Sequence, residues 1–92
     1  MFYSRLGSDV QISWPLSIEG VDDISTLDIK IYVKCERYRK SIPFTTENNT
    51  LLFTFYGKDQ RVRGNYDLEL VINEDKEGQM IYDNKNVFTL IK

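Results

Sequence analysis

Between residues 27 and 35 every second side chain is apolar: Leu27, Ile29, Ile31, Val33 and Cys35 alternate with Asp28, Lys30, Tyr32 and Lys34. A period of two puts the two sets on opposite faces of an extended strand. On a helix the same apolar residues would be scattered around the whole cylinder. The segment therefore predicts a strand with one face on a core and the other in water.

The same pattern recurs along the chain. Val10, Ile12 and Trp14 share a face, with Gln11 and Ser13 on the other. Pro15, which lacks an N–H, ends that strand or marks an edge, and Pro43 in Ile42-Pro43-Phe44 carries the same signal. Leu51, Phe53 and Phe55 alternate with Leu52, Thr54 and Tyr56. Tyr66, Leu68, Leu70 and Ile72 alternate with Asp67, Glu69 and Val71. Met80-Ile81-Tyr82 predicts a short strand, Asp83 to Asn86 a turn, and Val87 to Ile91 a last strand.

The connections carry turn chemistry. Glu19 to Asp23 is an acidic, turn-rich loop, and Glu47-Asn48-Asn49 is a turn whose asparagines tolerate the left-handed conformation. Residues 57–63 are polar and read as a crossing between sheets, with room for one helical turn. Asn73 to Gly78 is a charged hairpin region with Gly78 for a positive-φ position.

Short strands with turn signals roughly every 8–12 residues, and no amphipathic helix, predict an all-β fold. The expected architecture is an immunoglobulin-like β-sandwich of about seven antiparallel strands in Greek-key order. With 92 residues it is expected to form a single domain over 1–92. Trp14, Phe44, Phe53, Phe55 and Tyr66 fall on inward positions, and Trp14 and Tyr66 are the expected structural residues. Tyr66 follows a polar crossing and Gly64 and opens an alternating strand. That is the setting of a tyrosine corner, whose hydroxyl would bond back to backbone in 59–63.

Much chemistry is missing. The chain has no histidine, which removes histidine triads and most zinc sites. Its single cysteine excludes a disulfide framework, and Cys35 reads as a small buried hydrophobe. A free thiol suits a reducing compartment. Gly7, Gly20, Gly57, Gly64 and Gly78 stand apart, so no phosphate-binding loop forms. Asp22, Asp23, Glu74, Asp75 and Glu77 lie in turns, where solvation explains them better than catalysis, and no loop has calcium-ligand spacing. A net charge of −2 gives no basic face for nucleic acid and no pull toward an anionic membrane. No apolar run has signal-peptide or membrane-span length. If Met1 is the native start, synthesis in the cytoplasm follows. The expectation is a protein that is not an enzyme and takes no cofactor or metal.

The candidate contact residues are Tyr32 and Tyr56, outward by alternation, and the basic residues Arg37, Arg39 and Lys40 beside Lys34. Outward tyrosines serve protein contacts, stack on ligands or simply cover a sheet. The basic group is a solvated strand end or a contact for an acidic partner. A carbohydrate-binding or adhesin-like β-sandwich is the alternative function. It would need an exposed aromatic row drawn from Tyr3, Tyr32, Tyr38, Tyr56 and Tyr82.

Four patches carry a family resemblance. They are Gly7-Ser8-Asp9-Val10-Gln11-Ile12-Ser13-Trp14, Leu27-Asp28-Ile29-Lys30-Ile31-Tyr32-Val33, Gly64-Asn65-Tyr66-Asp67-Leu68-Glu69-Leu70 and Phe88-Thr89-Leu90. In this order and spacing they resemble the immunoglobulin-like N-terminal module of phage baseplate upper proteins and prophage tail-fibre proteins. The resemblance implies a structural module that joins a tail or baseplate to a receptor-binding part. It implies no catalytic residue. The implied partners are other tail or baseplate proteins, or a second copy, and the implied destination is the virion or tail. The sequence departs from the antibody type, which would carry a cysteine pair.

Overall fold

The computed structural model describes residues 2–92. Eight strands follow one another: β1 (Phe2–Arg5), β2 (Val10–Pro15), β3 (Ile29–Cys35), β4 (Tyr38–Ile42), β5 (Phe44–Glu47), β6 (Thr50–Phe55), β7 (Gly64–Ile72) and β8 (Met80–Ile91). They form a five-stranded sheet in the order β1-β8-β7-β3-β4 and a three-stranded sheet in the order β2-β6-β5. Among the described residues, helix is confined to 3-10 turns at Ile24–Thr26 and Gly57–Asp59. The protein is all-β.

The alternating residues make the core. Ile29, Ile31, Val33 and Cys35 of β3 and Tyr66, Leu68, Leu70 and Ile72 of β7 meet Val10, Ile12, Leu51, Phe53 and Phe55 from the smaller sheet. Phe88 of β8 stacks on Tyr66, with ring centroids 5.0 Å apart, and packs on Phe55 at 6.3 Å. Burial of this apolar surface is the main force holding the two sheets together.

The chain passes between the sheets at points its sequence marks. Pro43 sits between Ile42, the end of β4, and Phe44, the start of β5, where the chain leaves one sheet for the other. Both β4 and β5 are edge strands, as is β2, which ends at Pro15. Asn48 and Asn49 join β5 to β6 with φ of 49° and 59°. Two positive-φ residues in succession match the twist of a tight hairpin. Asn49 also accepts the Ile24 N–H and donates to the Asp22 carbonyl, which fixes the acidic loop. Asp23 caps the turn at 24–26 by accepting from the Ser25 N–H and hydroxyl.

The crossing from β6 to β7 is held by buried polar contacts. Gln60 is 5% exposed. Its Oε1 accepts from the Gly7 N–H at 2.7 Å, and its Nε2 donates to the carbonyls of Ser8 and Phe55 at 2.7 and 3.2 Å. The Asp9 carboxylate accepts from the Gly57 N–H at 2.8 Å. This joins the Gly7-Ser8-Asp9 turn directly to the crossing. A side chain on Gly57 has no room, since a Cβ there would lie 1.9 Å from the Gly7 carbonyl oxygen. Two tyrosine hydroxyls complete the anchoring: Tyr38 donates to the Asp59 carbonyl at 2.8 Å, and Tyr66 donates to the Val62 carbonyl.

The structure differs from the sequence reading at three places. First, Phe2–Arg5 form a strand, and it pairs with β8 in parallel, Phe2 beside Phe88 and Arg5 beside Ile91. Among the described residues the strands number eight, and they are not all antiparallel. Second, residues 83–86 make no turn: β8 runs unbroken from Met80 to Ile91. Its register against β7 shifts between Leu68, opposite Asn84, and Tyr66, opposite Phe88. Lys85, Asn86 and Val87 therefore face Asp67 alone. Asn86 takes a φ of 51°, and its N–H goes to the Asp67 carboxylate at 2.8 Å. The turn-like composition is used as a bulge within a strand. Third, Trp14 is only half-buried, at the margin of the core, because β2 is an edge strand that stops at Pro15.

Candidate interaction surface

The outer face of the five-stranded sheet is charged but largely self-satisfied. Tyr32 points to that face, yet it is only 8% exposed. The Arg39 guanidinium lies 3.5 Å above its ring centroid, and the Tyr32 hydroxyl donates to the Glu74 carboxylate at 2.6–2.7 Å. Arg39 also donates to Glu69 at 2.6 Å, and Lys34 donates to the same carboxylate at 3.0 Å. Tyr32 is thus a covered residue rather than an open contact, because a cation on the neighbouring strand lies across it.

The expected contact residues do not form one patch. Arg39 pairs in register with Lys34 on the outer face. Lys40 pairs with Val33 and so takes the opposite register. Arg37 is exposed in the β3–β4 turn. Tyr56 is exposed past the end of β6, at the other sheet, with the Lys58 ammonium 5.7 Å from its ring. The candidate tyrosines do not line up either. Tyr38 is half-buried and bonded to the crossing, Tyr32 is covered, and Tyr3 and Tyr82 belong to β1 and β8.

Glu69 is the anion at the centre of the charged face. Burial raises its pKa, but the hydrogen bonds from Arg39 and Lys34 outweigh burial and hold it below the ordinary glutamate value. A carboxylate depressed in the folded state adds stability above its unfolded pKa, about 4.3, and loses it as pH falls through the folded value. Arg39 is half-exposed, which limits the gain to about 1 kcal/mol. Glu69→Gln should therefore be less stable than the parent near neutrality, and the gap should close as pH falls below the ordinary glutamate range. Urea unfolding of both proteins from neutrality to below that range checks it, and a gap that does not change with pH would remove Glu69 as the ionic centre.

The exposed apolar side chains lie elsewhere. Phe2, Tyr3, Leu6, Met80, Ile81, Tyr82 and Ile91 are exposed, and all sit on or beside β1 and β8. Tyr56 is the exception among the described large apolar residues. Phe2 stacks on Phe88 at 5.7 Å, and the Leu6 N–H donates to the Ile91 carbonyl at 2.6 Å, so β1 is firmly laid on β8. It covers only Phe88 to Ile91. From Met80 to Asn84, β8 pairs with β7 on one side; from Met80 to Val87 it has no strand on the other among the described residues.

The open part of β8 is longer than β5 and free of proline, although it carries Asp83, Lys85 and the bulge at Asn86. β4 carries Arg39 and Lys40 and is followed by Pro43, β2 ends in Pro15, and β5 is four residues long. Charges, prolines and short length all discourage edge pairing. Beside the open part of β8 lies a depression lined by Trp14, Leu16, Ile18, Tyr82, Asp83 and Asn84. Sequence reasoning missed this surface because it divided β8 in two and left β1 unassigned. The available signal was the run Met80-Ile81-Tyr82, whose adjacent apolar residues cannot all face one core.

Other chemistry is sparse among the described residues. No group of acidic or cysteine side chains is placed to hold a metal ion. Burial pushes the Cys35 thiol pKa up, which disfavours the reactive thiolate. No helix is long and apolar enough to cross a membrane. No family model, curated protein or solved structure matches the chain.

Proposed function

We propose that this chain is a non-catalytic structural module that acts through protein–protein contact in a phage or prophage tail or baseplate. The observation that carries the contact reading is the gathering of exposed apolar side chains along β1 and β8, next to an unpaired strand edge. Such patches are the usual mark of an association surface. The tail or baseplate setting rests on the four sequence patches of the resemblance. The first, Gly7-Ser8-Asp9, is the turn bonded to Gln60 and Gly57.

The finer architecture in this proposal is an immunoglobulin-like Greek key. The order β2-β6-β5 facing β3-β7-β8 corresponds to strands B-E-D facing C-F-G of that fold. In this correspondence β4 is the extra strand beside C, and β1 is a first strand laid on G. The Tyr66 hydroxyl bonded to the Val62 carbonyl fits the tyrosine corner near the start of strand F. The proposed partners are other tail or baseplate proteins or a second copy, with no cofactor, nucleic acid or membrane. The proposed route is synthesis in the cytoplasm, then assembly into the particle.

The test is location. Antibody against the chain, applied to purified particles from the encoding host, should label the tail or baseplate in electron micrographs. Particles that stay unlabelled while the protein accumulates free in the cell would remove the tail assignment.

A further inference from the structure

We infer that the open half of β8 binds the same segment of a second copy of this chain, antiparallel, about a two-fold axis at Asn84. This rests on the contact-module reading and names its surface and occupant.

The backbone offers the site. Met80 to Val87 lacks a partner strand on one side among the described residues, and Lys85, Asn86 and Val87 are left out of the β7 ladder. Unpaired N–H and C=O groups along such an edge are satisfied by one more strand. Met80, Ile81 and Tyr82 are exposed there, and the depression with Trp14, Leu16 and Ile18 lies alongside. An added strand would cover both.

The side chains choose the occupant. Reading Met80-Ile81-Tyr82-Asp83-Asn84-Lys85 against itself about Asn84 sets Asp83 opposite Lys85. The two-fold repeats this pair. Regular pairing ends at Asn86, whose φ is 51°, and Val87 packs on the core. Opposite charges directly across an antiparallel ladder are stabilising, and like charges are not. The self-complementary order is what an isologous contact requires. Both ions are accessible for it: Asp83 meets Lys34 only at 3.7 Å and Lys85 meets Asp67 only at 3.5 Å, and Lys85 is 61% exposed. The other edge with charge, β4, reads Tyr38-Arg39-Lys40-Ser41-Ile42, which against itself about Lys40 would bring like charges together.

The experiment is a charge swap read by sedimentation velocity and NMR. The parent should shift from monomer to dimer between about 10 µM and about 1 mM, a range typical of weak association. Asp83→Lys and Lys85→Asp should each weaken the dimer by roughly 10-fold, by setting like charges face to face. The double variant Asp83→Lys/Lys85→Asp should restore it to within about 3-fold of the parent. Amide signals of residues 80–87 in the parent should move with concentration while those of 38–42 stay still, which tests the site without any substitution. A parent that stays monomeric at about 1 mM overturns the inference, as does a dimer indifferent to both single changes. Either failure leaves the contact-module reading to the particle-labelling experiment, since a strand from another protein could fill the edge.

Discussion

Gln60→Leu should destabilise the fold by about 3 kcal/mol, although leucine is close in size and apolar. The substitution leaves the Gly7 N–H and the Ser8 and Phe55 carbonyls without the partner that Gln60 supplies. Each unmet buried backbone group costs roughly 1–3 kcal/mol, less where water reaches it. Gly7 and Ser8 lie at the surface, so the total stays below the sum of three full penalties. In a domain of this size about 3 kcal/mol lowers the melting midpoint by roughly 12–24 °C. Calorimetry reads this directly. A loss under about 1 kcal/mol would mean that the turn and the crossing are held together by other contacts.

Tyr66→Ala is expected to be worse, at about 3–5 kcal/mol, because it empties the centre of the aromatic cluster. The Tyr66 ring is fully buried and touches Phe88, Phe55 and Tyr38, with centroids 5.0, 5.5 and 6.3 Å away. The whole stability of such a domain is about 5–15 kcal/mol, so the variant should be close to unfolding at 37 °C. Tyr66→Phe separates the two roles of the side chain. It keeps the ring and removes only the hydroxyl bonded to the Val62 carbonyl, for about 1–2 kcal/mol. Denaturant midpoints of the two variants should therefore differ widely. Equal losses would mean that the hydroxyl, not the ring, is the main contribution.

The alternation at 27–35 and 66–72 was legible because both strands are interior in their sheet, with one face on a continuous core. Alternation tells which face a residue takes, but not what lies across it. Tyr32 was correctly outward and still buried, because Arg39 is one strand away and folds over its ring. β1 was hidden because Phe2 and Tyr3 are adjacent aromatics, and its partner is the far end of the chain. The continuity of β8 was hidden because Asp83-Asn84-Lys85-Asn86 has the composition of a turn. Gln60 was hidden because a polar residue in a polar stretch gives no sign of burial; only its three backbone partners make it structural. The proposed contact surface was hidden for the same reasons. It lies at an edge, and edges are properties of strand order, which no local pattern encodes.

The parallel pairing of β1 with β8 has a mechanical consequence. Phe2 lies beside Phe88 and Arg5 beside Ile91, so the two strands run side by side in the same direction. Tension entering at the start of β1 and leaving at the end of β8 would pull them past one another along their length. Their hydrogen bonds would then share the load and have to fail together, rather than open one at a time as in a peeled hairpin. The Phe2–Phe88 stack and the Leu6–Ile91 bond lie in the same shear path. The arrangement makes this seam the natural point at which the fold resists stretching.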